Sequence, residues 1–464
     1  MTLPDPPGGF GVPPEKNSGG SEVSRQKRIA DRGGVVRIGL LGCGHVGSAL
    51  VRLIAGNAAS IEARAGVRVE VARVAVRNLA KERDVDLHAD TFTHDVDEVV
   101  GDPDVDLIVE VIGGIEPART LILTALAAGK PVVTANKELL ANFGRELFDT
   151  AEANGVDLLF EASVCGGIPL LRPLRESLAG DRIRRITGIV NGTTNFVLTR
   201  MTESGASFHE ALAEAQTLGY AERDPTADVE GFDAAAKAAI LASIAFGSKV
   251  VAGDVYHEGI SGVSPSDIDS ARELGYVVKL LALAEEIDDE IAVRVHPAMV
   301  PVNHPLAGVK DSFNAVFIEA DAAGSLMFYG RGAGGMPTAS AVLGDLMDAA
   351  RNLAAGSRGA TMGAPSRKRV KPIDEVESQF YVMAEVADRP GVLASIASAF
   401  GDHGVSIKSM QQQGIPDGIT GDARLIFVTH KAKERDFEAT MAAVRQLEAV
   451  HRVGSILRVV GEDE

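Results

Sequence analysis

The chain has 464 residues, and its 46 Lys and Arg residues face 64 Asp and Glu residues, which gives a formal net charge of −18. This acid excess does not favour nucleic-acid binding, because phosphate contacts need clustered cations. No uninterrupted apolar run approaches the roughly 20 residues of a membrane span, and the count of 2 cysteines is too small for a disulfide framework. We therefore expect a cytoplasmic, multidomain enzyme that binds neither nucleic acid nor a membrane.

The N-terminal residues 1–34 are rich in Pro, Gly, Ser and charge and show almost no apolar periodicity. Such a segment buries too little apolar surface to offset its ordering entropy, which predicts a disordered tail. From residue 35 to residue 154, short apolar strands alternate with helix-like segments, at 35–41, 67–76, 106–111 and 131–134. This order is typical of βαβ units around a parallel sheet, so we expect a Rossmann-type domain over 35–154.

The rest of the chain divides into three further segments. Residues 155–353 mix strands with long Ala-rich helical stretches, which predicts an α+β domain. Residues 354–377 have the composition of a linker. Residues 378–464 follow the order strand, helix, strand, strand, helix, strand. The predicted fold class is therefore α/β, with a Rossmann-type sheet domain, an α+β domain and a C-terminal βαββαβ domain.

A glycine pattern, Gly42-x-Gly44-x-x-Gly47, follows the first predicted strand directly and opens a helix. The first glycine permits the tight turn, the second lets the backbone approach a pyrophosphate, and the third allows the helix to pack on the strand. His45 and Val46 complete this turn, whose free N–H groups and helix dipole favour an anion. We interpret it as a dinucleotide-binding turn; a purely structural glycine turn is the alternative.

Arg77 follows the second predicted strand, at the place where an NAD site carries an Asp or Glu against the ribose 2′-hydroxyl. A guanidinium at that place suits a 2′-phosphate, so the sequence favours NADP(H) over NAD(H). A surface arginine without a cofactor contact is the alternative.

Residues 222–233 are dense in carboxylates and lead into an apolar, Ala-rich helix that contains Lys237. Asp233 and Lys237 lie one helical turn apart and therefore share one helical face. A solvated ion pair is the ordinary reading, but a lysine that enters a buried helix beside several acids is more typical of a cleft. Lys137 follows the strand 131–134, where open α/β sheets bind ligands, although a surface lysine is equally compatible with that position.

The spaced pattern in this region resembles the signature of homoserine dehydrogenase, and it reads Ala215-x-x-x-Gly219-Tyr220-Ala221-x-x-Asp224-Pro225-x-x-Asp228-Val229-x-Gly231-x-Asp233-x-x-x-Lys237. The segments 134–137 and 191–195 also resemble motifs of that family, and the resemblance covers residues 35–352. It implies the interconversion of L-homoserine and L-aspartate 4-semialdehyde with NAD(P)H, within threonine, methionine and isoleucine biosynthesis. The last domain resembles an ACT domain through residues 388–393, which implies feedback regulation with threonine as the expected effector.

The resemblance also implies roles for individual residues. Lys237 is the expected proton donor and acceptor, Lys137 the second active-site lysine, and Glu222 and Asp233 the substrate-binding acids. Gly113, Gly219 and Lys137 match cofactor-contacting positions, and the loop that contains Gly334 is expected to close over the cofactor. A monovalent cation, Na⁺ or K⁺, is implied at four positions that act mostly through carbonyl oxygens, Glu161, Val164, Gly166 and Ile168.

Family members are dimers or tetramers, so the resemblance implies a homodimer or homotetramer that uses the α+β domain for dimerisation. Gly391 and residues 404–409 are expected to line the effector site.

Two alternatives remain open from the sequence. A thiolate-dependent semialdehyde dehydrogenase would use Cys165 as its nucleophile, but the histidines form no motif that partners this cysteine, and a small buried residue is the simpler interpretation. A non-catalytic nucleotide and amino-acid sensor would have no need for an acid–base lysine. Lys137, Asp233 and Lys237 therefore favour the dehydrogenase.

Overall fold

A computed structural model describes residues 19–360, 368–414 and 422–461. The α-helices of these residues are α1 (Gly19–Asp31), α2 (His45–Gly56), α3 (Ala58–Ala65), α4 (Val96–Gly101), α5 (Ala118–Ala127), α6 (Lys137–Ala153), α7 (Gly192–Ser204), α8 (Phe208–Thr217), α9 (Thr226–Val229), α10 (Phe232–Ala245), α11 (Pro265–Glu273), α12 (Gly335–Ala355), α13 (Val392–Asp402) and α14 (Glu434–Val444). Their strands are β1 (Val35–Leu41), β2 (Arg68–Ala75), β3 (Phe92–Thr93), β4 (Leu107–Glu110), β5 (Val132–Thr134), β6 (Leu158–Leu159), β7 (Ile183–Ile189), β8 (Tyr256–His257), β9 (Tyr276–Ile287), β10 (Glu290–Pro301), β11 (Phe313–Ala320), β12 (Gly324–Arg331), β13 (Glu377–Ala387), β14 (Ile407–Gly414), β15 (Asp422–Thr429), β16 (Ala432–Lys433) and β17 (Val450–Val459).

The first domain is built on a parallel sheet. Within the described residues its six strands follow the order β3-β2-β1-β4-β5-β6, and every pair is parallel. Strands buried on both faces read as continuous apolar runs, as β4 does with Leu-Ile-Val. The carboxyl ends of β1, β4 and β5 lie at one edge, so the segments that follow them meet there. The predicted Rossmann-type domain is therefore confirmed.

Ordered elements extend beyond both predicted ends of this domain. The prediction ends it at residue 154, but β6 pairs with β5 and belongs to the parallel sheet. The prediction also gives a disordered tail over 1–34, whereas α1 spans part of that range. Ile29 of α1 is 2 % exposed, and Arg32 pairs with the buried Asp106 at 2.8 Å. Residues 1–18 lie outside the described residues.

A second, mixed sheet runs through the α+β domain and on into the C-terminal domain. Among the described residues its main path is β12-β11-β7-β9-β10-β17-β13-β15-β14, with β8 and β16 at its sides. β10 and β17 form the parallel pair that joins the two domains. One α+β helix, α10, packs against β9 and β10, and α12 crosses back to pack against α2 of the first domain.

The C-terminal domain has the predicted βαββαβ order, with β13, α13, β14, β15, α14 and β17. Its core includes Phe380 and Phe437, whose rings stack at a centroid distance of 3.8 Å. Part of the predicted linker 354–377 is paired with the α+β domain, since the Ile291 N–H donates to the Arg369 carbonyl (2.9 Å). Over the described ranges, no helix is both long and apolar enough to cross a membrane.

Candidate active site

The glycine turn lies where β1 ends and α2 begins. Gly42 has a φ of 100°, which favours glycine. A Cβ on Gly47 would lie 2.3 Å from the Gly42 carbonyl oxygen. Only glycine at position 47 therefore lets the first turn of α2 pack against Gly42. The Cβ position of Gly44 faces open space, and this residue caps α2 without a side-chain hydrogen bond. The first N–H groups of α2 are therefore suited to receive a pyrophosphate.

Arg77 is exposed and lies two residues beyond the end of β2. Because Leu41 and Ala75 pair at the ends of the parallel strands β1 and β2, Arg77 lies at the same edge of the sheet as the glycine turn. This position suits a contact with the ribose next to the pyrophosphate.

A buried carboxylate, not singled out from the sequence, organises the loop after β4. Glu110 is 0 % exposed and accepts hydrogen bonds from the N–H groups of Ile112 (2.8 Å) and Gly113 (2.9 Å) and from the hydroxyl of Thr134 (2.6 Å). It therefore holds the predicted cofactor position Gly113 against the end of β5. The sequence signal for Glu110 is its position as the single acid at the end of the apolar run of β4.

Two lysines from different elements meet on one carboxylate. Asp233 lies in the first turn of α10, and its Oδ2 is 2.7 Å from Nζ of Lys237. Its Oδ1 is 2.9 Å from Nζ of Lys137, which begins α6. Lys237 also donates to the Val190 carbonyl (2.7 Å). Asp233 and Lys237 are 8 % and 9 % exposed, whereas the Lys137 side chain is 44 % exposed, so Lys137 lies nearer to solvent than Lys237.

The charges of this cluster stabilise one another. Burial raises the pKa of Asp233, but the ammonium groups of Lys237 and Lys137 lower it by more, so this pKa lies well below its ordinary value. Burial lowers the pKa of Lys237, but the Asp233 carboxylate outweighs burial and leaves this pKa above its ordinary value. Lys237 is therefore an ammonium at neutral pH, and Asp233 sets how readily it loses a proton.

The segment 191–195 supports the cluster, although the sequence indicates no individual roles for its residues. Nδ2 of Asn191 donates to Oδ2 of Asp233 (2.8 Å) and to Oδ1 of Asp228 (2.7 Å). The Thr193 hydroxyl donates to the Tyr220 carbonyl (2.7 Å). The start of α7 thus holds the Asp233 carboxylate and the loop after α8 together.

Two predicted site residues lie on that loop. Gly219 is exposed, has a φ of 77° and lies two residues after the end of α8. Glu222 is also exposed, and within the described residues its carboxylate makes no ion pair. The structure brings the loop to the cluster through Tyr220 but does not place Glu222 in contact with either lysine.

The loop before α12 lies between the nucleotide turn and the segment 161–168. A Cβ on Gly335 would lie 3.1 Å from the His45 carbonyl oxygen, and a Cβ on Gly166 would lie 2.4 Å from the Gly332 carbonyl oxygen. Gly334 caps α12 with a φ of 117° and is exposed. The loop and the first residue of α12 thus contact both the nucleotide turn and the predicted cation segment.

The predicted cation segment is buried. Glu161 is 6 % exposed, Ile168 2 % and Val164 0 %, and Gly166 is buried as well. The Glu161 carboxylate accepts hydrogen bonds from the N–H groups of residues 170–172, so its side chain is engaged in capping that turn. Among the described residues, no group of three or more His, Cys, Asp or Glu side chains is arranged to hold a metal ion.

Cys165 lies in the same segment, with a φ of 56° and 0 % exposure. Burial raises the pKa of its thiol to about 11. Such a thiol is protonated at neutral pH and is a poor nucleophile. The other cysteine, Cys43, is buried too, and its Sγ lies 3.4 Å from the Ser48 hydroxyl. These surroundings argue against the thiolate alternative.

Three family profiles match the chain. The profile of homoserine dehydrogenase matches residues 169–347, that of the homoserine dehydrogenase NAD binding domain matches residues 42–161, and that of the ACT domain matches residues 380–449. The matches confirm the expected domain types and show that the first domain binds a nicotinamide cofactor.

Similar proteins extend over nearly the whole chain. A homoserine dehydrogenase of Mycobacterium tuberculosis is 49% identical over 433 residues, which are 92% of this chain and 98% of that protein. The homoserine dehydrogenase of Corynebacterium glutamicum is 49% identical over 432 residues, 92% of this chain and 96% of the relative. A crystal structure of a homoserine dehydrogenase from Thiobacillus denitrificans superposes with a TM-score of 0.86 at 41% identity, covering 92% of this chain and 98% of the other. With its nicotinamide-binding domain, its two-lysine cluster and its ACT domain, the chain belongs to the homoserine dehydrogenase family.

Proposed function

We propose that the protein interconverts L-homoserine and L-aspartate 4-semialdehyde with NADP(H), and that Lys237 moves the proton. The observation that carries this proposal is the buried Asp233 carboxylate, which holds Lys237 at 2.7 Å and Lys137 at 2.9 Å. Lys137 follows β5 at the same edge of the parallel sheet as the nucleotide turn after β1. When bound, the cofactor supplies or accepts a hydride at the terminal carbon of the substrate. The open space at Gly44 and the uncapped start of α2 fit its pyrophosphate.

Lys237 has a donor left for the substrate. An ammonium carries three N–H groups. Two of those on Lys237 donate to the Asp233 carboxylate and the Val190 carbonyl. The third is therefore left for the oxygen on the reacting carbon. In the reduction Lys237 donates its proton to the developing alkoxide. In the oxidation the neutral amine accepts the hydroxyl proton.

The other charged residues divide the remaining work. Both oxygens of Asp233 contact lysines, so this residue orients Lys237 and Lys137 more directly than it binds a substrate amine. The exposed Glu222 carboxylate suits the α-ammonium group of homoserine, as the sequence predicts. Lys137 keeps N–H donors for the substrate or the cofactor, because its side chain reaches towards solvent.

Turnover tests this proposal directly. Purified protein, supplied with L-homoserine and NADP, is expected to form reduced nicotinamide that is measured by its absorbance, and the reverse reaction is expected with the semialdehyde and NADPH. Wild-type protein that binds NADP but turns over neither substrate would instead support the non-catalytic sensor.

Cofactor preference is expected to depend on Arg77. We predict that Arg77→Ala raises the KM for NADP by about 10- to 100-fold, because a charge-assisted hydrogen bond contributes about 1.5–3 kcal/mol. The KM for NAD should stay near its wild-type value, since NAD has no 2′-phosphate. The control is Lys81→Ala, which removes an exposed cation from the same loop. An equal loss with both cofactors would contradict the assignment.

The ACT domain is expected to bind threonine at the start of α13. Gly391 caps this helix with a φ of 94° and without a side-chain hydrogen bond, so the N–H groups that follow suit the effector's carboxylate. We predict that threonine inhibits the wild type and that Gly391→Asp weakens the inhibition at least about tenfold relative to Gly391→Ala. Both substitutions place a side chain at the same positive φ. Only Asp adds a carboxylate that competes with the effector's carboxylate for the N–H groups at the start of α13. Equal inhibition constants for the two variants would contradict this site.

We further propose that the protein binds a monovalent cation, forms a homo-oligomer and is located in the cytoplasm. The carbonyls of the buried segment that contains Glu161, Val164, Gly166 and Ile168 suit Na⁺ or K⁺. Two exposed apolar residues on the edge strand β12, Met327 and Tyr329 (37 % and 54 % exposed), suit an interface within a homodimer or homotetramer. Two free cysteines suit a reducing compartment.

A further inference from the structure

The last strand of the ACT domain carries a buried arginine that pairs across the domain boundary. Arg458, on β17, is 5 % exposed. Its guanidinium contacts both carboxylate oxygens of Glu434 on α14 (2.9 and 2.7 Å) and Oε1 of Glu258 in the α+β domain (2.6 Å). The Tyr256 hydroxyl also donates to Glu258. Because Glu434 by itself balances the charge of Arg458, the Glu258 contact is an additional link between the domains.

Backbone contacts connect Glu258 to the turn before α10. The Ile260 N–H donates to the Val229 carbonyl (2.8 Å). A Cβ on Gly259 would lie 2.4 Å from the Val229 carbonyl oxygen, and a Cβ on Gly231 would lie 3.2 Å from the Glu258 carbonyl oxygen. The segments 258–260 and 229–231 are therefore packed backbone to backbone, and a movement of one displaces the other.

The same turn starts the helix that carries the catalytic pair. Gly231 caps α10, and Asp233 lies in its first turn. The ring centroids of Phe232 and His257 lie 4.4 Å apart. The first residue of α10 therefore also contacts the residue that precedes Glu258.

We propose that Glu258, held by Arg458, is a positioning residue that determines where Asp233 meets Lys237. The inference rests on the proposed acid–base role of Lys237. It means that the ACT domain contributes, through β17, a residue that supports the geometry of the active site.

The charges around Lys237 explain what a displaced turn would do. The groups that face Lys237 are Asp233 on its own helix, Asp228 of α9, the Cys165 thiol and, across Asp233, the Lys137 ammonium. Of these, Asp233 contacts Lys237 directly. If the turn moves, the ion pair weakens and burial dominates, so the pKa of Lys237 falls.

The test follows homoserine oxidation by full-length Glu258→Ala and Glu258→Gln over a pH series. For Glu258→Ala we expect kcat to fall about tenfold with little change in the KM for NADP. The ascending pH limb of kcat should move to lower pH by about 0.5–1 unit, because the amine of Lys237 becomes neutral more readily. Glu258→Gln should restore most of kcat, since its amide oxygen still accepts from Arg458.

Gln413→Ala is the matched control. Gln413 of β14 donates to Glu273 of α11 (2.9 Å), which is another contact across the same domain boundary but leads to no residue of α10. This variant should behave as the wild type. A Glu258→Ala variant with the wild-type pH limb, whether or not kcat falls, would overturn the positioning role. If Lys237→Ala turns over as well as the wild type, the proposed function is wrong and this inference falls with it.

Discussion

Replacing Lys237 with alanine is expected to lower kcat for homoserine oxidation by about 10²–10⁴-fold, the usual contribution of a positioned acid–base group. kcat and kcat/KM should fall together, because the proton is transferred in the transition state and not on binding. The KM for NADP should change little, since Lys237 projects from α10 and the nucleotide turn belongs to β1 and α2. Steady-state kinetics in both reaction directions measure kcat, kcat/KM and the KM for NADP. A melting curve of the same protein shows whether the variant is folded.

Lys237→Arg separates proton transfer from charge. Arginine keeps a cation beside Asp233 but does not lose its proton at accessible pH. If Lys237 acts as the base, Arg should fail in oxidation about as severely as Ala. Full oxidation activity in Lys237→Arg would show that the residue acts only as a fixed positive charge.

Asp233→Asn is expected to change both the rate and its pH dependence. In the wild type the carboxylate raises the pKa of Lys237 against the effect of burial. Without this charge, burial and the neighbouring Lys137 both favour the neutral amine, so the ascending limb of homoserine oxidation should move to lower pH. At the optimum, kcat should fall by about 10²-fold, because neither lysine keeps its orientation.

The same substitution should alter the pH dependence of stability. The pKa of Asp233 is lower in the folded protein than in the unfolded chain. Its ion pairs therefore contribute their full stabilisation at pH values above the pKa of the unfolded chain. This stabilisation is lost as the pH falls through the pKa of the folded protein. Loss of a buried pair costs about 3–5 kcal/mol at neutral pH, which urea unfolding measures. The matched control is Asp224→Asn, which changes an exposed acid of the segment 222–233. Within the described residues, its carboxylate accepts hydrogen bonds from Thr226 alone. Equal effects of the two variants would contradict a special role for Asp233.

Much of the fold was accessible from the sequence because its signals are local. The alternation from residue 35 and the glycine turn predict the parallel sheet, and the C-terminal order predicts the ACT fold. β6 spans only Leu158–Leu159, which is too short for a periodic pattern, so the sequence does not indicate that the parallel sheet continues past residue 154. α1 is held by tertiary contacts of Ile29 and Arg32, which the polar composition of its segment conceals.

The candidate site divides in the same way. The pairing of Asp233 with Lys237 follows from helical spacing, and the structure places them at 2.7 Å. The meeting of Lys137 with Asp233 depends on how α6 packs against α10, and no local pattern contains that information. Glu110 and Asn191 act through hydrogen bonds to partners distant in sequence, so their residue types suggest polarity but not a role.

The pairing of β10 with β17 has a consequence for anyone who shortens this protein. Residues 298 and 299 of β10 pair with β17, and the Val460 N–H donates to the Met299 carbonyl (3.1 Å). A chain cut before the ACT domain would leave this stretch of β10 as an open sheet edge, with backbone groups ready to pair with another molecule. Such a fragment should tend to aggregate, and point variants therefore report on regulation more faithfully than truncation.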